Sequence, residues 1–405
     1  MSSPGKWFTC TPIRFKGGQA FFARDSGLLC KGFQEIGIEC KAILPGPPVE
    51  DEQVEDLIRT EYENLENPDW WRSLGGEGVV FYGWGSGKYS KVARAIREAD
   101  LFLLTHLDTG GMLGVLNGFL AYTEHLWRWS FGIRKPGPIS IARFGIRLAY
   151  GVSAALIKND LGRARHLKQA DIIGATSPAA AERIRKVCRI YGGSELESRV
   201  MMIPHPIAPY MLYDPLQRKE PLIVTVGYWP DPDKDSELLM HTVTALLTRE
   251  KDVTIEIYGR PTDEMVKWSQ DFDSMDRDRI KIMGVVPNEK LRHAFQRAQI
   301  SLCTSLMESF HIASGEALCS GCSIVGPDTP GLPSMKWFAD GPFGTLATRK
   351  QSEFADALAS ELGKWRNGER NPLEISDHWS KLLHAPRVAE MILKIASLHR
   401  SHKVP

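Results

Sequence analysis

The amino-acid sequence predicts an α/β protein built from two doubly wound, parallel-sheet domains. Three observations carry that expectation. Strand-like apolar runs alternate with helix-periodic segments in two separate series, five prolines fall within residues 204–221, and 405 residues exceed what one hydrophobic core usually organises. No helix or central strand tolerates that density of proline, so residues 204–221 read as an extended connector. The expected divisions are an N-terminal domain (1–208), a C-terminal domain (209–376), and a helical tail (377–405) packing back on the first domain.

In the first series, residues 7–13 read as a strand, 19–36 as a helix and 40–44 as a strand, which is βαβ order. An acidic insertion follows, with eight acids in residues 50–66 against Arg59 alone. Next come a strand at 79–82, a helix at 88–98, and an apolar run at 100–106 that ends on His106, where a parallel strand should open into a site. A histidine simply ending a strand is the competing reading. A strand at 170–177, a helix from Pro178 with proline in its first turn, and a strand at 200–203 complete the half.

The second series places strands at 222–228, 254–258, 280–285 and 300–305, with helices at 236–247, 263–270 and 289–298 between them. A strand at 323–326, a turn at 327–331, a helix at 353–365 and a tail helix at 379–398 follow. Ligands in such sheets bind outside the carboxyl ends of the strands, so the two halves are expected to present their loops across a cleft.

Composition narrows the function. With 24% charged residues and a net charge of +1, the chain is not made chiefly to neutralise nucleic acid, and no nucleic-acid partner is expected. The longest uncharged run, 109–123, is short for a bilayer span and carries four glycines. The N-terminus lacks a basic region followed by an apolar core, and seven scattered cysteines suit a reducing compartment, so a cytoplasmic location is expected. Cys319 and Cys322 form a lone CxxC without a second ligand pair, which reads as core packing rather than metal or redox chemistry.

Between residues 307 and 317 two carboxylates, Glu308 and Glu316, fall at a loop-to-helix junction after a buried strand. Backbone N–H groups at such a helix start can hold a diphosphate without a metal, and a carboxylate beside it suits a ligand that also carries hydroxyls. Solvated surface positions are the alternative for such a pair. Asp231 and Asp233 have the spelling of a metal-binding pair, but their proline-rich setting reads as a turn.

The series Gly284, Val285, Val286, Pro287, Leu291, Ala298, Ser305, Glu308, Phe310, Glu316, Ala317, Gly321, Gly331 and Pro333 resembles, in order and spacing, the family 4 retaining nucleotide-sugar glycosyltransferases of the GT-B architecture. The resemblance covers most of the chain and is strongest over residues 280–333. It implies two Rossmann-like domains, a nucleoside-diphosphate-sugar donor, a glycan or lipid-linked acceptor, and no metal or other cofactor. By that resemblance Glu308 lies beside the donor sugar. The backbone from Ser309 through Phe310, His311 and Ile312 to Ala313 holds the distal phosphate and sugar, Val286 borders the donor, and Glu316 binds the ribose. Gly17 and Gly18 match the glycine loop against the diphosphate, Gly227 and Lys234 match the phosphate clamp, and His106 matches a histidine near the acceptor.

One position departs from the pattern: Tyr228 stands where the family places an arginine after the clamp glycine, so either Arg260, following Gly259, compensates, which is the expected case, or the leaving group is stabilised less well. Arg143, Arg147 and Lys158 share a face of a helical segment whose other face carries Phe144, Leu148, Val152 and Ala155. That segment reads as a basic amphipathic helix, suited either to an anionic membrane surface or to a solvated position over the N-terminal core. A noncatalytic GT-B-like binding or scaffold protein and a sugar-nucleotide epimerase are the rival functions.

Overall fold

The computed structural model describes residues 5–50, 52, 54–107, 123, 126, 127, 131, 137–154 and 160–401. They divide into two compact units. The first runs through an N-terminal sheet to Pro209 and takes in the chain from Leu382 onward, and the second includes Tyr210–Lys381.

The first unit is a seven-stranded sheet in the order β3-β2-β1-β4-β5-β6-β7, every pair parallel. Its strands are β1 (Trp7–Cys10), β2 (Cys40–Pro45), β3 (Leu57–Thr60), β4 (Gly78–Phe81), β5 (Phe102–Leu107), β6 (Ile172–Ala175) and β7 (Val200–Met202). Parallel strands covered on both faces read as continuous apolar runs, and alternate residues here feed two separate cores. Phe8, Cys10, Val79 and Phe81 point into one, whereas Trp7, Ala42, Leu44, Val80 and Leu104 point into the other.

The second unit has a six-stranded parallel sheet in the order β10-β9-β8-β11-β12-β13. The strands are β8 (Glu220–Val226), β9 (Thr254–Tyr258), β10 (Ile280–Gly284), β11 (Ala298–Leu302), β12 (Ser323–Pro327) and β13 (Gly344–Ala347). Strand order reverses between β1 and β4 in the first sheet and between β8 and β11 in the second. Loops leaving neighbouring strands diverge at such points and leave a crevice.

Several boundaries differ from the sequence reading, each for a local reason. The helix expected over 19–36 is two helices, Gln19–Phe22 and Asp25–Glu35, because Arg24 is extended and Asp25 takes φ 47°. β3 lies inside the acidic insertion, where a four-residue strand carrying Arg59 leaves little apolar signal. β13 was likewise not expected. The strand leading to Glu308 ends at Leu302 rather than 305, so Cys303 to Ser305 belong to the loop.

The tail helix expected over 379–398 is instead Pro372–Leu383 and Ala385–Ser401. Pro386 has no N–H to continue a helix, and the Leu383 carbonyl and Ala385 amide bond to Ile207 instead. From Ala385 the tail joins the first unit, setting Val388, Ala389, Ile392 and Ala396 among Trp7, Phe33 and Leu104. Gly32 permits the approach, since a Cβ there would lie 2.4 Å from the Ala385 carbonyl oxygen. Among the described residues no helix is long and apolar enough to cross a membrane.

Because Ile392 is fully buried in this layer, Ile392→Ala should destabilise the first unit by about 2–5 kcal/mol through lost apolar burial and the cavity left behind. Urea unfolding followed by tryptophan fluorescence measures this. A midpoint unchanged from wild type would mean that the tail does not contribute to the N-terminal core.

Candidate functional site

In the second unit the chemistry gathers at the crevice between β8 and β11. After β8 the chain passes Gly227 and Tyr228, makes a 3₁₀ turn over Pro232–Lys234, and enters the helix Ser236–Arg249 through Asp235. After β11 it runs through Thr304, Ser305 and Glu308 to the helix Ile312–Cys319. The two loops are tied by backbone and side-chain bonds: Leu306 N–H donates to the Asp233 carbonyl at 2.7 Å, and Thr304 Oγ1 donates to the Lys234 carbonyl at 2.8 Å.

This lacing brings Lys234 Nζ onto Glu308 Oε1 as an ion pair, with each side chain keeping 19% of its surface exposed. Ser305 Oγ donates to the same carboxylate oxygen at 2.6 Å, and His311 Nε2 lies 3.8 Å from it. Burial alone would raise the Glu308 pKa. His311, the Lys234 charge and its hydrogen bond, and the Ser305 hydroxyl reverse that and hold it below the ordinary carboxylate value of 4.5. Burial lowers the His311 pKa from its ordinary value, and the Glu308 charge opposes that shift.

His311 is itself unusual. It caps the Ile312–Cys319 helix at φ 62° and ψ 73°, a left-handed conformation that non-glycine residues adopt only when their surroundings enforce it. Its Nδ1 and the Ser314 hydroxyl, 2.6 Å apart, hold the ring, and burial holds the rest. Sequence reasoning gave residue 311 a backbone role only; the structure adds an imidazole beside Glu308. The glycine–proline turn beyond β12 closes the far side, where the Gly331 carbonyl accepts from Glu308 N–H at 3.0 Å. A Cβ at Gly331 would sit 2.3 Å from the Leu306 carbonyl, so only glycine fits there.

The remaining expected donor residues fall around this centre to differing degrees. Ser309 is partly exposed, while the Phe310 side chain is buried against Phe338 and contributes packing, its carbonyl accepting from Ser334 Oγ at 2.5 Å. Ile312 and Glu316 are partly exposed on the following helix. Tyr210 marks the neighbourhood of Glu316: its phenol pKa is raised chiefly by burial and further by the Glu316 charge.

At the next strand ends, Gly227 N–H bonds the Tyr258 carbonyl, Trp229 N–H bonds the Arg260 carbonyl, and Gly259 N–H bonds the Gly284 carbonyl. Gly259 has φ 96°, and a Cβ there would collide with the Gly227 carbonyl at 1.8 Å. Tyr228 is 53% exposed, and Arg260 and Val285 are exposed beside the partly exposed Val286. Among the described residues, no carboxylate lies within ion-pair distance of Arg260.

Two expected contributors lie in the first unit. Gly17 and Gly18 follow β1 as expected, but the helix they precede is a single turn, and the Gly17 amide donates to Glu52 Oε1 at 2.8 Å. Arg59 grips Glu52 and the Phe15 and Pro45 carbonyls, so the loop is braced by a buried ion pair. Gly17 and Gly18 are both buried, with Leu57 against Gly17. His106 lies within β5 without exposed surface. Its Nε2 is 3.1 Å from the Ile203 carbonyl, and its ring stacks on Tyr82 and meets His205 edge-on.

Asp231 spends its carboxylate on capping the 3₁₀ turn, accepting from Asp233 N–H at 3.0 Å. Among the described residues no group of three or more His, Cys, Asp or Glu is placed to hold a metal. Cys319 and Cys322 are buried thiols. Arg143 and Arg147 are exposed on the helix Pro138–Ala154, where Phe144 and Leu148 are partly buried; Lys158 lies outside the described residues, and the side chains of Val152 and Ala155 are not described.

Comparison with known proteins gives this geometry a family context. Residues 220–363, within the C-terminal domain, match the model for glycosyl transferases group 1. A D-inositol 3-phosphate glycosyltransferase of Nocardia farcinica is 25% identical over 237 residues, 53% of this chain. The match spans half the length of that curated relative.

Over nearly its full length the chain also shares the fold of solved glycosyltransferase structures. HepE of Anabaena, in complex with UDP, superposes with a TM-score of 0.62 at 13% identity, covering 97% of this chain and 100% of that one. The catalytic domain of starch synthase IV from Arabidopsis thaliana, bound to ADP and acarbose, gives 0.62 at 12% identity over 99% and 100%. Sucrose-phosphate synthase from Thermosynechococcus elongatus gives 0.61 at 14% identity over 98% and 100%. At these identities the likeness is one of fold, and the fold is the expected GT-B pair of Rossmann-like domains.

The depressed Glu308 pKa links stability to pH with a definite sign. A carboxylate with a folded pKa below its unfolded value stabilises the fold above the unfolded pKa and loses that contribution as pH falls through the folded one. Wild type should therefore exceed Glu308→Gln in unfolding free energy at neutral pH, with the gap narrowing as pH falls below about 4.5. Urea titrations of both proteins from pH 7 to pH 3 measure it, and a gap independent of pH would contradict the ion pair.

Proposed function

We propose that the chain is a retaining glycosyltransferase that moves a sugar from a nucleoside-diphosphate donor to an acceptor hydroxyl. The observation that carries the reading is the Lys234–Glu308 ion pair at the strand-order reversal of a group 1 glycosyltransferase domain, with the Ile312–Cys319 helix start beside it. A diphosphate placed there would meet a lysine cation and helix-start amides, both of which favour the charge that develops as it departs. Arg260, exposed and without a carboxylate partner among the described residues, would add a second cation where Tyr228 supplies none.

Glu308 is engaged by Lys234, Ser305 and the nearby His311, which suits it to orient sugar hydroxyls better than to attack the anomeric carbon. Retention then follows from departure and attack on the same face through an oxocarbenium-like state, with the leaving phosphate oxygen taking the acceptor proton. Cations and amides supply the electrostatic work that a metal performs elsewhere, so the reaction is proposed to need none. The acceptor is proposed to be a glycan or a lipid-linked glycan; the name of the Nocardia relative adds inositol phosphate to the acceptors worth assaying.

A membrane surface is proposed as a second partner because Ile139 and Ile146 on the Pro138–Ala154 helix are 73% and 70% exposed. At helical spacing they share a face with Arg143, and Arg147 lies at the edge of that face, an arrangement of apolar and cationic side chains that suits an anionic lipid interface and a lipid-linked acceptor. Such a location is peripheral and on the cytoplasmic side.

Incubation with UDP-, GDP- and ADP-sugars should raise the melting temperature with one donor class by mass action. With that donor and an acceptor panel, NMR of the product should show the donor's anomeric configuration, EDTA should leave the rate unchanged, and Glu308→Ala should reduce it by about 100-fold or more. Donor conversion without acceptor would favour an epimerase, and binding without turnover would favour a noncatalytic protein. For the membrane partner, wild type should co-sediment with phosphatidylserine-containing vesicles, and Arg143→Glu combined with Arg147→Glu should abolish it. Equal sedimentation of both would remove the basic helix from the proposal.

A further inference from the structure

Lys234 does not stand on regular secondary structure. It ends a 3₁₀ turn, and the next residue, Asp235, has φ 53° and ψ 62°. Non-glycine residues hold that left-handed conformation only where other bonds over-determine it. Here the bonds are visible. Asp235 Oδ1 accepts from Leu238 N–H at 3.2 Å, capping the Ser236–Arg249 helix, and Oδ2 pairs with Arg349.

Arg349 comes from the segment after β13, outside both loops of the crevice. Its second terminal nitrogen donates to the Thr304 carbonyl at 3.2 Å, and Thr304 in turn donates to the Lys234 carbonyl. Arg349 thus grips the residue after Lys234 with one arm and the loop leading to Glu308 with the other. The Asp235 and Arg349 side chains keep only 5% and 15% of their surface exposed, so the contact is shielded from water. A planar guanidinium spans two acceptors in fixed geometry, which a lysine ammonium on the same stem does not.

We propose that Arg349 is a positioning residue for the transfer reaction: it holds the left-handed turn at Asp235 and the loop at Thr304 in the arrangement that sets Lys234 on Glu308. The proposal rests on the donor-site reading above. Arg349 acts through Asp235 and Thr304 and needs no contact with substrate.

The test is a cycle of wild type, Arg349→Met, Asp235→Gly and the double variant, with Arg349→Lys as the conservative member. Glycine adopts the left-handed turn without a supporting side chain, so Asp235→Gly should remove most of the need for Arg349. Arg349→Met should lower kcat about tenfold in the wild-type background and less than about threefold in the Asp235→Gly background, the non-additivity expected of coupled residues. Arg349→Lys should fall between.

Hydrogen exchange supplies a readout independent of activity. Amides of residues 303–308 should exchange faster in Arg349→Met, and much less of that change should appear when the variant is made on Asp235→Gly. Additive kinetic losses, or unchanged exchange in Arg349→Met, would overturn the positioning role. If exchange behaves as expected while wild type neither binds nor transfers any nucleotide sugar, the positioning stands and the donor-site reading fails.

Discussion

The second unit is organised around one ion pair, Lys234 with Glu308, and around the cost of forming it. Removing two charges from most of their water is unfavourable unless geometry and further hydrogen bonds compensate. The compensation is concrete: Ser305 donates to the carboxylate, the Lys234 carbonyl is held by Thr304, and the amide of Glu308 is held by Gly331. Removing Lys234 alone would leave a carboxylate with only Ser305 and the His311 ring for company, which is why the pair and its surroundings behave as a unit.

The strain in the region has the same origin. Asp235, directly after Lys234, and His311, three residues after Glu308, are both non-glycine residues in the left-handed region. Each turns the chain sharply enough to start a helix within a few residues of a charged side chain delivered to the crevice. Each is also restrained by its own side chain, Asp235 by Arg349 and the Leu238 amide, His311 by Ser314. Glycine at either place would adopt the turn more easily but could not make those bonds, so strain and restraint come together.

The sequence made much of this legible and left specific parts hidden. Apolar runs mark eleven of the thirteen named strands, less reliably at their ends than at their centres: β11 stops at Leu302, and the next three residues, Cys303, Thr304 and Ser305, are loop. β3 escapes because four residues bearing an arginine amid acids carry no period of two, and the tail reads as one helix because the apolar period runs on across the break, with Pro386 in the first turn of the second helix where proline is tolerated. Glu308 stands out by its spacing to Glu316, and Lys234 only through the family resemblance. The supporting Arg349 was not legible, since it lies 114 residues from Asp235 and nothing in its local pattern marks it. Gly17 was legible as a glycine after a first strand, yet its amide is engaged by a glutamate 35 residues away, a partnership only the folded chain discloses.

The substitution at Tyr228 is best understood through the neighbouring strand. β8 and β9 are hydrogen-bonded neighbours, and their trailing loops stay bonded beyond the sheet through Gly227 to Tyr258 and Trp229 to Arg260. The Trp229 indole anchors the same junction by donating to the Tyr258 carbonyl at 2.9 Å. Gly259, where any side chain would strike the Gly227 carbonyl, lets the two loops approach this closely. Residues following Gly227 and Gly259 are therefore adjacent in space although 32 positions apart in sequence, and a cation moved from one to the other stays in the same neighbourhood. On the proposed function, an arginine at 260 rather than 228 would be a change of strand more than a change of charge, and its exposed guanidinium, unclaimed by any described carboxylate, would be available to an anionic ligand. On this geometry the proposed donor site keeps two cations of different kinds: Lys234, held in place by its carboxylate, and Arg260, free to move onto a phosphate as charge builds there.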